Sequence, residues 1–147
     1  MVQRYYTSND FSMLRDRTKQ DYKYFLSVMC KEFGDVKYKD LTSKQAKHAY
    51  EDWVARGISL ANHVCTVSSI VFRYAIDMEY ATINPFANVK RKSAPQRKVV
   101  WTEDDVRQFL DTAYSTFEWR SIGLIVHMAY EWCQRLGDMR LLTWDNF

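Results

Sequence analysis

From Phe11 the apolar positions fall at Leu14, Tyr22, Phe25, Leu26, Met29 and Phe33, mainly three and four apart, which predicts one long amphipathic helix. Thr7 and Ser8 precede it as caps, Asp10 suits its first turn, and Gly34 is placed to stop it in a left-handed conformation. A second helix is predicted from Thr42 or Ser43. Thr42 and Gln45 have the spacing of a capping box, Ala46, Ala49, Tyr50, Trp53 and Val54 form the apolar stripe, and Gly57 ends it. Ser59 is the candidate cap of a third helix, whose stripe Val64, Val67, Val71, Tyr74, Ala75 and Met78 keeps the helical period most regularly. Asn84 and Pro85 then break the chain, because the residue before proline is biased away from helix.

Residues 90–98 carry five positive charges, no acid and no apolar stripe, which reads as a basic linker. Beyond it Thr102 and Asp105 repeat the cap spacing, and Val106, Phe109, Leu110 and Ala113 mark a fourth helix. A fifth is denser: Trp119, Ile122, Ile125, Val126, Ala129 and Trp132 leave it apolar on more than one side, as expected at the centre of a larger domain. No period-two pattern stands out, although residues 141–147 could begin a strand. The expected fold class is all-α.

Composition agrees with a folded, helix-rich chain: 47% of the 147 residues are apolar and 16% aromatic, against four glycines and two prolines. Charge adds a division the net value of +3 conceals. Residues 1–98 hold 17 Lys/Arg against 10 Asp/Glu, and residues 99–147 hold 4 against 8, so the first part is +7 and the second −4. Such a basic first part suits a polyanion, nucleic acid being the usual one, and equally describes a solvated basic domain. Cys30, Cys65 and Cys133 are odd in number and widely spaced, so neither a disulfide framework nor a zinc site is indicated. With no signal-peptide core and no apolar run of membrane-spanning length, a reducing cytosol is the expected compartment and no membrane contact is expected.

Three stretches, in order, resemble one family. The helix from Ala61-Asn62-His63-Val64 to Ala75-Ile76, followed by Ile83-Asn84-Pro85-Phe86, is similar to the last long helix and exit of the core-binding domain of phage-integrase-type tyrosine recombinases. The stretch WTEDDVRQFL, which begins at Trp101, resembles the "LTxxEvxxLL" opening of their catalytic domain. Gln134-Arg135-Leu136-Gly137-Asp138, with Leu142 and Trp144 at the right distances, resembles "GxRxGExxxLxWxDI", the segment bearing the first catalytic arginine. There are departures: Trp132-Cys133 replaces the usual Thr-Gly, Asp138 replaces Glu, and Asn146 stands where an Asp is usual.

The resemblance implies a SAM-like helical core-binding domain over residues 1–88, a basic linker over 89–100, and the first helices of a catalytic domain over 101–147. Two helices and a short tail bury little core by themselves, so the chain reads as truncated. The family's activity is strand cleavage by a tyrosine hydroxyl, giving a 3′-phosphotyrosyl link, and rejoining, without metal or other cofactor. Its transition state gathers negative charge on phosphoryl oxygens, which a planar, permanently charged guanidinium stabilises. The resemblance assigns that role to Arg135, with Asp138 one turn on as its support; from the two residues alone, an exposed ion pair is the competing reading.

The family's lysine, His-x-x-Arg pair and nucleophilic tyrosine would lie beyond this segment. These residues by themselves are therefore expected to bind DNA and not to cut it. His127 in its apolar helix reads as a packed histidine. The expected phosphate contacts are Lys90, Arg91, Lys92, Arg97 and Lys98, followed by Lys44 and Lys47 and by Asn62, His63 and Arg73 on the polar face of the third helix, a solvated surface being the alternative for each. Double-stranded DNA is the implied partner, with a tetramer on paired sites for the intact recombinase. Two other functions fit the residues: a stand-alone DNA-binding or regulatory module, and a helical protein-interaction domain.

Overall fold

Seven polar residues separate Leu14 from Tyr22, an interruption in the apolar stripe of the helix expected from Phe11. In the computed structural model, which describes residues 1–95, 98–143 and 145, the chain breaks just ahead of most of that stretch. It forms α1 (Val2–Tyr6), α2 (Asn9–Ser12) and α3 (Asp16–Phe33) in place of one helix from Phe11, the break falling at residues 13–15 and the polar residues 16–21 being helical. Ser8 caps only the short α2, its Oγ accepting from the Phe11 N–H at 3.2 Å. Arg15 is extended before α3, and Tyr5 meets Phe11 edge-on at 5.6 Å. Gly34 is right-handed, φ −56°, contrary to the left-handed stop expected of it. Close approach, not dihedral freedom, is what this glycine permits: a Cβ there would stand 2.6 Å from the Cys30 carbonyl oxygen.

The next two helices follow their sequence signals more closely. α4 (Ser43–Arg56) opens with the reciprocal box: the Gln45 N–H donates to Thr42 Oγ1 and the Thr42 N–H to Gln45 Oε1. Gly57 closes it at φ +148°, a region glycine enters without a Cβ penalty. α5 (Ile58–Asp77) starts immediately afterwards with Gly57 as its cap, so Ser59 lies inside the first turn and caps nothing. α3 and α4 both pack on α5, around Leu26, Trp53, Val64, Val71 and Phe72. Phe86 completes this core, sandwiched near Trp53, Phe72 and Phe33 at 5.7–6.3 Å between ring centroids. Full burial of each such ring contributes up to about 3 kcal/mol.

The chain divides into two units, Met1–Pro95 and Gln96–Phe147. The second unit holds α6 (Glu103–Ser115), a 3₁₀ turn (Phe117–Trp119), α7 (Arg120–Trp132) and α8 (Leu136–Met139). Thr102 and Asp105 form the expected box at the start of α6. α6 and α7 meet closely at Gly123, where a Cβ would lie 2.9 Å from that of Ala113. The expectation for α7 is not met. Gly123 is its one buried residue among those described, Ile122, Leu124, Tyr130 and Trp132 are exposed, and Trp119 belongs to the preceding 3₁₀ turn. Within its unit α7 packs against α6, the 3₁₀ turn and α8, which leaves much of its apolar surface uncovered. It ends on Cys133 in a left-handed conformation, φ 51°. The described residues contain helices and no strand, so the fold is all-α and residues 141–143 begin no sheet.

Candidate nucleic-acid interface

Asn84 turns the chain back after α5. Its Nδ2 donates to the carbonyl and the hydroxyl of Ser69, 3.0 Å each, and its Oδ1 accepts from the Phe86 N–H at 3.0 Å. Pro85 and Phe86 are buried directly behind it. From this point the chain runs antiparallel to α5: Asn84 sits at Ser69, the Arg91 side chain reaches Cys65, and Lys92 lies at Asn62. Burial pushes the Cys65 thiol above its ordinary pKa, and the Arg91 hydrogen bond and charge oppose that rise.

Lys92 is gripped by its backbone. Its N–H donates to the Tyr50 hydroxyl at 2.6 Å, that hydroxyl donates to Asn62 Oδ1 at 2.8 Å, and Asn62 Nδ2 donates to the Lys92 carbonyl at 2.9 Å. The ring closes on one residue, with two side chains supplying the donor and acceptor that a neighbouring strand would supply in a sheet. The Lys92 ammonium pairs with Glu51, an ion pair about half exposed on both sides and so worth less than about 1 kcal/mol. Lys47, Tyr50, Glu51, Asn88, Val89 and Lys90 line one open depression beside it.

The basic residues foreseen in the sequence therefore divide. Lys47, Lys90, Arg91 and Lys92 are exposed and gather where α4, α5 and the returning chain meet. Lys44 is exposed one turn before Lys47. Asn62 shares the site, and both ends of its amide are engaged within the protein, which makes it an anchor for Lys92. His63 turns toward α3: its Nδ1–H donates to the Ser59 carbonyl at 2.7 Å and its ring stacks on Phe25 at 5.1 Å. Arg73 is exposed nearer the C-terminal end of α5. Lys98 is exposed in the second unit, and Arg97 lies outside the described residues.

Sequence reasoning missed Tyr50 and Glu51. Tyr50 counted only as a stripe residue; a buried tyrosine needs a hydroxyl partner, and that requirement is the signal that could have marked it.

In the second unit Arg135 is exposed and extended, the residue that caps α8. Its carbonyl accepts from the N–H groups of Asp138 and Met139 at 2.9 and 3.1 Å. Among the described residues no ion pair joins Arg135 to Asp138, so the side-chain support expected of Asp138 is replaced by a backbone bond. Arg135 stands at the cap, ahead of the helix that holds Asp138. Leu142 is half-buried, and Trp144 and Asn146 lie outside the described residues. His127 is half-exposed, not core: Tyr114 Oη lies 3.2 Å from its Nδ1, and Glu131 lies 3.9 Å from its Nε2.

Among the described residues no cluster of His, Cys, Asp and Glu could hold a metal, and no helix is long and apolar enough to cross a membrane. No family model matches the sequence, and no curated protein matches it. A solved structure does match: one protein of a lambda integrase dimer bound to a COC′ core site superposes with a TM-score of 0.85 over 99% of this chain. The two are 21% identical, and this chain spans 41% of the length of that one. The likeness establishes an integrase-like helical fold.

Proposed function

We propose that these residues are the DNA-gripping part of a tyrosine recombinase of the integrase type. The core-binding domain covers about residues 1–88, residues 89–100 form a linker, and residues 101–147 open a catalytic domain. The observation that carries this reading is the likeness, across 99% of the chain, to an integrase solved on its DNA site. Chemistry supports it. The first unit holds 15 Lys/Arg against 10 Asp/Glu, and two of those cations, Lys47 and Lys90, line one depression, with Arg91 and Lys92 following Lys90 directly. Cations held on a rigid scaffold neutralise phosphates without first being ordered.

In this reading Lys47, Lys90, Arg91 and Lys92 contact the duplex backbone, with Lys44, Arg73, Arg97 and Lys98 as further contacts. Arg135, exposed at the start of α8, takes the phosphoryl oxygens of the strand to be cut. The nucleophilic tyrosine and the remaining cationic groups would come from other parts of the intact recombinase, which would assemble on paired sites. Residues 1–147 alone bind duplex DNA and form no covalent adduct with it.

Titration of duplex DNA at two ionic strengths tests this. Neutralising four phosphates makes affinity fall about 10²-fold between 50 and 200 mM salt. Weak binding without that dependence would overturn the reading in favour of a protein-interaction domain. A phosphotyrosyl adduct formed on nicked site DNA would overturn the claim that these residues do not cut.

A further inference from the structure

The closed ring around Lys92 is more than local hydrogen bonding. Lys92 follows Lys90 and Arg91 directly, so a hold on its backbone also restrains the stretch of chain that carries the other two cations. Tyr50 comes from α4 and Asn62 from α5, twelve residues apart, and neither carries a charge that would neutralise a phosphate. Tyr50 is 1% exposed and packs in the core, so its hydroxyl is carried on a rigid mount. The Lys92 N–H meets that hydroxyl at a partly buried site, where losing the partner costs more than it would in open solvent.

We infer that Tyr50 and Asn62 are positioning residues for the basic edge: by clasping both backbone polar groups of Lys92 they order Lys90, Arg91 and Lys92 before DNA arrives. This rests on the nucleic-acid reading above for its purpose, though the clasp can be tested without DNA. Ordering a segment in advance removes from binding the entropy of fixing it. It does not change how many phosphates are neutralised. The clasp therefore sets the affinity of the site and leaves its salt dependence alone, whereas a phosphate-contacting cation sets both.

The test uses the full chain carrying Tyr50→Phe, which keeps the buried ring and removes the hydroxyl, and in parallel Asn62→Ala, at a half-buried position that folding tolerates better. Thermal melting verifies that each folds. Without DNA, exchange of the Lys92 amide hydrogen is expected to accelerate at least tenfold in Tyr50→Phe; unchanged exchange would show that no clasp exists. With duplex DNA, both variants are expected to bind about fivefold more weakly at every salt concentration, with log Kd against log salt parallel to the native line. Native affinity in both variants, or a slope lowered by about one, would overturn the positioning role. If the native chain itself binds DNA without salt dependence, the nucleic-acid reading falls, and the exchange result still judges the clasp.

Discussion

Asn84 and Ser69 are joined twice, one amide nitrogen donating to both the carbonyl and the hydroxyl 3.0 Å away. This pair turns the exit of α5 into a return path along the same helix. Asn84→Asp places a carboxylate against the Ser69 carbonyl, where no hydrogen is left to share. The expected loss is about 1–3 kcal/mol of unfolding free energy, read from urea denaturation.

Phe86 is the other half of that turn, 1% exposed and stacked on Trp53 with ring planes 13° apart. Removing its ring in Phe86→Ala leaves a cavity among Trp53, Phe72 and Phe33. A cost of about 3–5 kcal/mol is expected, followed by tryptophan fluorescence during chemical unfolding.

Cys133 ends α7 at φ 51°, ψ 30°, where an L side chain is strained and glycine is not. The integrase-like pattern has glycine at this place, and the backbone retains the conformation that glycine would serve. Cys133→Gly is expected to raise stability by about 0.5–1 kcal/mol, the relief of strain exceeding the added freedom of the unfolded chain. A melting curve of each protein checks it.

Lys47 and Lys90 line one depression from different elements. Alanine at either position should weaken duplex binding by a similar factor for unrelated DNA sequences and lower the salt slope by about one. Sequence-dependent losses would mean base contact.

Asp105 accepts hydrogen bonds from the Thr102 N–H and hydroxyl, which hold its carboxyl below the usual value of 3.8. A depressed folded pKa stabilises above the unfolded pKa, and that stability is lost as pH falls through the folded value. The start of α6 should therefore loosen below about pH 4 in the native chain. Asp105→Asn should remove this step from a pH titration of helicity.

Where a residue's neighbours in sequence decide its structure, the sequence was legible. The Thr42–Gln45 and Thr102–Asp105 boxes and the Gly57 stop are local devices, and all three formed as read. The helix expected from Phe11 is divided at residues 13–15, a break the periodicity did not mark, while the polar residues 16–21 are helical. α7 carries a central helix's pattern while Ile122, Leu124, Tyr130 and Trp132 stand exposed, since a pattern records the surroundings a helix suits and not those present. The candidate interface was legible as charge. Its geometry was not, because Tyr50, Asn62 and Lys92 meet only after α4, α5 and the returning chain have packed. Arg135 and Asp138 show the same limit, their spacing being that of a helix which begins only after Arg135.

The grip on Lys92 takes hold of its peptide groups and leaves the identity of its side chain unspecified. Any residue but proline, which brings no N–H, would be held at that position in the same way. The scaffold and whatever residue 92 touches are thus interchangeable parts: selection can rewrite the side chain without redesigning its mount.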